Sequence, residues 1–242
     1  MYTNVNLDAA WGVLLLLGFG LCAASAVLVM LHALVTGRGT RATEFTLLLV
    51  GGCAVYSGAM AFFSVESRET ILGRGEEKYF CEIDCHLAYS VLDVRRAKRV
   101  GGVDAKGTFY IVNVRTRFDE NTVSPQRGNR PLTPNARNAT VLDARGNSYA
   151  SSAEGERALA SANAFSQPFT TPLRPGESYT TLLVFDLPDD IENPRLLIND
   201  GELMTRFIIG HENSPLHRKT QFRLEPDGEQ AARIAGARSL SE

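Results

Sequence analysis

Between positions 81 and 86 the chain reads Cys81-Glu82-Ile83-Asp84-Cys85-His86. Two thiols four apart beside an imidazole can do one of two things. As thiolates, together with His86, they could hold copper or zinc, because soft sulfur and borderline nitrogen donors suit those ions. Oxidised, Cys81 and Cys85 would close a disulfide on each other. In a regular strand residues four apart lie roughly 13 Å from one another, against the roughly 5.5 Å between Cα atoms that a bridge requires, so pairing demands a turn at 82–84. So short a loop stabilises by only about 2 kcal/mol in the chain-entropy model. The disulfide is the favoured outcome if this stretch faces an oxidising compartment, ahead of free thiols and then of the metal set Cys81, Cys85 and His86.

Other residues with possible chemistry are sparser. His211 and His217 stand six apart in a Pro-containing loop, a spacing that matches no recognised ligand set, although the fold could bring His211 to His86. The chain has no Gly-x-Ser-x-Gly elbow, no phosphate-cradling loop and no His-Glu-x-x-His. Asp186, Asp189, Asp190 and Glu192 gather around Pro188 and Pro194 as solvated turn residues. No catalytic residue and no cofactor is expected, and a non-enzymatic protein is. Asn138-Ala139-Thr140 fits the glycosylation pattern, which means little if the source is bacterial. The formal net charge of -2, from 25 basic and 27 acidic residues, lacks the basic excess of a nucleic-acid binder, so no nucleic acid is expected as a partner.

The compartment of Cys81 and Cys85 is set by two long uncharged stretches, 11–35 and 45–65. About 20 apolar residues at 1.5 Å each cross roughly 30 Å of hydrocarbon, and neither stretch contains Asp, Glu, Lys, Arg or Pro. They predict a transmembrane helical hairpin whose first partner is the lipid bilayer. Cys22 and Cys53 lie within it, where a thiol acts as a small hydrophobe. Small residues four apart, such as Ala54 with Gly58 and Gly20 with Ala24, let the two backbones approach. The short segment 1–10 lacks the basic residues of a signal peptide, so the first helix is expected to be retained. Arg38 and Arg41 outweigh Glu44 in the connector, and the positive-inside rule puts that connector in the cytoplasm. The N-terminal segment and everything after residue 65 then face outward, which at a bacterial inner membrane means the periplasm.

Residues 66–78, with Gly73, Gly75 and many charges, read as a juxtamembrane linker without apolar period. Alternation begins at Tyr79. Its clearest case is Tyr110, Val112, Val114, Thr116 and Phe118, with Asn113, Arg115 and Arg117 on the opposite face. Further strands are expected at 87–94, 139–143, 178–186, 195–198, 204–209 and 218–224, separated by turns such as Gly101-Gly102 and Arg174-Pro175-Gly176. About seven short strands predict an all-β antiparallel sandwich of immunoglobulin-like type over 79–224, able to fold as an isolated fragment. A short helix is expected at 154–162 and a polar tail at 225–242, with at most a frayed helix at 229–237.

The order of local motifs carries a resemblance. Gly107-Thr-Phe-Tyr-Ile-Val-Asn-Val is followed by Val141-Leu-Asp-Ala-Arg-Gly-Asn-Ser-Tyr, then by Leu173-Arg-Pro-Gly-Glu-Ser-Tyr and Val184-Phe-Asp-Leu-Pro. This stretch, about 109–199, resembles the telokin-like domain of unknown function, an immunoglobulin-like sandwich of exported and membrane-anchored bacterial proteins. The resemblance implies a fold and no catalytic residues. Two helices before an exported β-domain are also similar to the copper-carrying second subunit of haem-copper oxidases. In that family, however, the Cys-x-x-x-Cys pair lies late in the sandwich and a His follows its second Cys by four residues. Here the pair precedes the sandwich and Tyr89 stands at that place. The expectation is a membrane-anchored, non-enzymatic module that binds a protein partner or serves as accessory subunit of an envelope complex. The alternative is a copper-binding or electron-transfer subunit.

Overall fold

The computed structural model describes residues 1–81, 85–161 and 164–225. The expected turn at 82–84, the last residue of the expected helix 154–162, and the tail beyond 225 lie outside the described residues. The chain opens with a two-residue strand, β1 (Tyr2–Thr3), and then enters helix α1 (Ala9–Val35). Asp8 caps this helix, its carboxylate accepting the Ala10 N–H at 3.0 Å. After a tight reversal comes α2 (Gly39–Glu66), which takes in most of the expected connector, so Arg41 and Glu44 are helical and only 36–38 turn the chain. Both helices are long and apolar enough to cross a membrane, at roughly 40 Å each. They pack on one another through Phe19 stacked on Tyr56, with ring centroids 4.5 Å apart. Their remaining surface is bare: Leu14, Leu17, Leu21, Leu28, Leu47, Leu48 and Val55 are all exposed. Helices apolar all round and unburied by their own chain are suited to lipid.

The β-domain follows. Its strands are β2 (Thr70–Leu72), β3 (Lys78–Phe80), β4 (Leu87–Val100), β5 (Val103–Phe118), β6 (Arg137–Leu142) and β7 (Ser148–Ala150), then helix α3 (Ala153–Ser161), β8 (Ser178–Leu187), β9 (Arg195–Asp200) and β10 (Thr220–Arg223). Two five-stranded sheets form, in the orders β1-β3-β4-β5-β8 and β2-β10-β9-β6-β7. They enclose one core that draws Tyr89, Val112, Val114, Phe118 and Phe185 from the first sheet and Leu72, Val141, Leu196, Ile198 and Phe222 from the second. A smaller cluster, Val100, Phe109, Ala158 and Val184, forms where α3 covers the other face of the first sheet.

Local chemistry explains the pieces that alternate. In β5 the residues Tyr110, Val112, Val114, Thr116 and Phe118 are all buried while Asn113, Arg115 and Arg117 on the other face are half-buried. Gly101 and Gly102, at φ of +51° and +82°, make the two-residue reversal that pairs Val100 with Val103, a conformation that favours glycine at both positions. Asp143 builds the β6–β7 turn, its Oδ1 accepting the N–H groups of Arg145 and Asn147.

Several boundaries differ from the sequence expectation. Ten strands form among the described residues rather than about seven, and both sheets are mixed: β1 runs parallel to β3 and β10 parallel to β2. The supposed linker 66–78 supplies β2 and Lys78, which is fully buried, so its charges mark contacts and not a solvated stalk. Residues 204–209 form no strand; Met204–Phe207 is a 3₁₀ turn lying against the helices. The domain therefore does not start at residue 79. It includes β1, and the helical hairpin is inserted between β1 and β2.

Candidate functional site

The inserted hairpin meets the sandwich at one end, and the residues with the most chemistry gather there. β1 hands the chain to α1 through Asn4, a buried residue whose Oδ1 accepts the Cys81 N–H at 2.9 Å and whose backbone carbonyl accepts the Glu212 N–H at 2.8 Å. Asn6 donates from Nδ2 to the Phe63 carbonyl at 2.7 Å, tying the start of α1 to the end of α2. Gly12 lies so close to the domain that a Cβ there would stand 2.8 Å from Ile208 Cγ2 and 2.9 Å from the Ile209 carbonyl.

Cys81 and Cys85 are joined in a disulfide, with Cα atoms 4.2 Å apart. A disulfide presents no thiolate, so in this state the pair does not fit copper or zinc. His86 turns elsewhere. Its ring stacks on Phe118 at 5.5 Å and its Nδ1 lies 2.7 Å from Thr122 Oγ1. The single hydroxyl hydrogen of Thr122 goes to the Asp119 carbonyl, so Nδ1 carries the proton in that bond. No group of three His, Cys, Asp or Glu side chains among the described residues is arranged to hold a metal ion.

His211 does not join His86. Its Nδ1 accepts the Asn213 N–H at 3.0 Å, and its Nε2 lies 3.2 Å from Asn4 Nδ2 and 3.3 Å from Asp200 Oδ2. Asp200 Oδ1 in turn accepts from Thr205 Oγ1 at 2.7 Å and from Asn213 Nδ2 at 2.6 Å. Burial acts to raise the Asp200 pKa, but the bonds from His211 and Thr205 outweigh it and hold the carboxyl below its usual range. Beside this pair runs a buried ion pair. Lys78 Nζ donates to Glu212 Oε1 at 2.7 Å and Oε2 at 2.9 Å, and also to the carbonyls of Ile198 and Thr220. Desolvation pushes the ammonium pKa down, opposed by the Glu212 carboxylate. Lys78 and Arg137 both lie over the Phe80 ring, at 4.8 and 4.3 Å. Sequence reasoning missed Asn4, Lys78, Asp200 and Glu212, because charge in a Gly-containing or turn stretch reads as solvation.

Between the Asp200–His211 wall and the first turns of α1 lies a cavity of about 200 Å³, lined by the apolar Val5, Leu7, Ala9, Val13 and Ile208 together with the polar Glu202 and Thr205. Both ring nitrogens of His211 have partners within the fold and Ser214 donates to the Ile208 carbonyl at 2.6 Å, so these groups are spent on holding the loop. Chemically the assembly is a clasp: buried hydrogen bonds and one ion pair lock β1, β3, β9, β10 and the loop 201–217 around the root of the hairpin.

On the outer face of the first sheet a second network ties β3 to β5. Tyr79 donates its hydroxyl to Asp119 Oδ2 at 2.6 Å, and Arg117 bridges Glu77, Tyr79 and Asp119. The bonds from Tyr79 and Arg117 hold the Asp119 carboxyl down to about 2. An unfolded Asp titrates near 3.9, so the stabilising contribution is complete above pH ~4 and lost as pH falls toward ~2. Unfolding midpoints measured from pH 6 down to pH 2 are expected to fall in that window. Asp119→Asn should be less stable at pH 6 and show a flatter acid limb. Equal acid slopes in the two proteins would contradict this.

No family model matches the chain, and no curated protein matches it. Three solved structures are similar to it. The secreted protein MPT63 of Mycobacterium tuberculosis shares 13% identity over 65% of this chain and 99% of its own, at a TM-score of 0.39. The yjhA protein of Bacillus subtilis shares 15% over 63% and 98%, also at 0.39. A conserved hypothetical protein of Bacillus anthracis shares 15% over 48% and 84%, at 0.37. At such scores the resemblance is loose and assigns neither a family nor a function.

Proposed function

We propose that this chain is a membrane-anchored, non-enzymatic β-sandwich that presents a protein-binding surface at a fixed height above a bacterial inner membrane, on the periplasmic side. The observation that carries this reading is the rooting of the hairpin: the chain enters α1 from a strand of the sandwich and leaves α2 into another. Both membrane-proximal helix ends are therefore gripped by one domain, and a domain gripped twice cannot swivel as one on a single flexible stalk would. The motif order from β5 to β8 supports the finer assignment to an immunoglobulin-like, telokin-like sandwich.

β1 runs parallel to β3 toward the helices, and β4 is antiparallel to β3, so β4 leads away from the membrane end. Over its 14 residues it climbs roughly 40 Å, and the β4–β5 reversal at Gly101-Gly102 becomes the membrane-distal tip. That tip carries Lys98 and Arg99, ion-paired with Asp189 and Asp104 on exposed surface. Exposed mixed charge of this kind suits a protein partner and its orientation, as in an accessory subunit of an envelope complex. A photo-crosslinking residue at Arg99 in the full-length protein, expressed in its membrane, should trap a discrete protein. The reading fails if the chain partitions into the aqueous fraction, or if crosslinking at the tip captures nothing while the same residue elsewhere on the domain does.

A further inference from the structure

The turn Met204–Phe207 and its flank hold an apolar surface that the sandwich does not use. Leu203, Met204 and Phe207 are 60, 65 and 48% exposed, side by side, on a domain whose other large apolar side chains are mostly inside. Their position relative to the helices is fixed by two contacts. Tyr56, ten residues before the end of α2, donates its hydroxyl to the Phe207 carbonyl at 2.7 Å, and Ile208 and Ile209 press against Gly12 in the first turn of α1. Tyr56 stacks on Phe19, roughly 15 Å along each helix from its domain end at 1.5 Å per residue, and its hydroxyl meets the Phe207 carbonyl. The turn thus lies alongside the first turns of the helices and not above them.

We propose that the segment 203–208 is a third membrane-contacting element, dipping into the leaflet on the domain's side beside the two helices. Leu203, Met204 and Phe207 enter the acyl region, and the exposed Arg206 reaches to the phosphates. The inference rests on the reading that α1 and α2 span a membrane. Lipid is the occupant that fits, because the patch is continuous with exposed apolar helix surface at the same level, including Trp11 at 63% exposure. Lipid-exposed irregular backbone does not occur within the hydrocarbon core, so the backbone of the turn stays at headgroup level and only the side chains of Leu203, Met204 and Phe207 reach past it. Here the Phe207 carbonyl accepts from Tyr56, the Ile208 carbonyl from Ser214 and His211, and the N–H groups of Arg206 and Ile208 donate within the turn. The domain is then pinned to the bilayer at three points, which fixes its tilt as well as its height.

Depth-dependent quenching tests this on the full chain in phosphatidylcholine nanodiscs with plain or acyl-brominated lipid. The natural chain carries one tryptophan, Trp11, and serves as reference. In a Trp11→Phe background, Leu203→Trp or Met204→Trp should emit to the blue and lose most of its emission in brominated lipid, as Trp11 does, whereas Phe165→Trp, at an exposed site beside α3, should do neither. If Trp11 is quenched and the turn variants behave like Phe165→Trp, the turn stands in water and the proposal falls while the anchor survives. A blue-shifted but unquenched turn tryptophan would mean that protein covers the patch, a partner or a second copy, and would also overturn it. Loss of quenching at Trp11 itself would remove the membrane reading, and the inference with it.

Discussion

Replacing Lys78 by Met is expected to destabilise the protein by about 3–5 kcal/mol, because it strands the Glu212 carboxylate in a site where the two side chains are 0 and 2% exposed. Lys78 also serves the Ile198 and Thr220 carbonyls, which lose a donor in the same change. The double variant Lys78→Met with Glu212→Leu removes both charges and should recover most of the loss, since a desolvated pair is often no better than apolar side chains of like volume. Urea titrations in mild detergent measure all three. Equal losses in the single and double variants would show that the site contributes through packing and not through its charges.

The isolated fragment 79–224, which the alternating pattern predicts to fold on its own, is instead expected to remain without fixed tertiary structure. It lacks β1, β2 and Lys78. Without Asn4 the N–H groups of Cys81 and Glu212 are left without their acceptors, at about 1–3 kcal/mol each, and Glu212 again loses its counter-ion. Together these losses rival the roughly 5–15 kcal/mol by which a domain is stable. A version that joins residues 1–8 to 67–225 through a short Gly-Ser link, omitting the hairpin, restores every one of those groups and should fold. Near-ultraviolet circular dichroism and thermal melting separate the two. Cooperative melting of 79–224 would show that β1 and β2 are dispensable and that the hairpin is a simple tether.

What the residues reveal and what they hide follows from the range of the interactions. β5 was legible because its alternation is local, and so was its Gly-Gly reversal; the helices were legible because lipid demands long uninterrupted apolar runs. β1 was hidden, for two residues ahead of a span carry no periodicity and are held by pairing to β3, more than seventy residues on. Lys78 and Glu212 were hidden since nothing in a charged side chain's own neighbourhood says that its partner lies over a hundred residues away. The stretch 204–209 read as a strand because its apolar residues pack on α1 or face outward in a turn, and a short apolar run does not distinguish those cases from a strand. At the candidate site the Cys81 and Cys85 pair was visible from spacing and compartment, while the surrounding clasp depends on contacts between both ends of the chain.

The central claim is that one domain grips both outward ends of a hairpin whose short reversal lies across the membrane. Labelling of single cysteines with a membrane-impermeant maleimide in intact spheroplasts tests it directly. With Cys22 and Cys53 changed to Ala, a cysteine placed at Gly37 reports on the reversal, one at Tyr2 on the N-terminal strand and one at Asn121 on the sandwich. The account predicts labelling at 2 and 121 in intact spheroplasts and at 37 only after the membrane is opened. Labelling at 37 in intact spheroplasts, or at 2 and 121 on opposite sides, would contradict it.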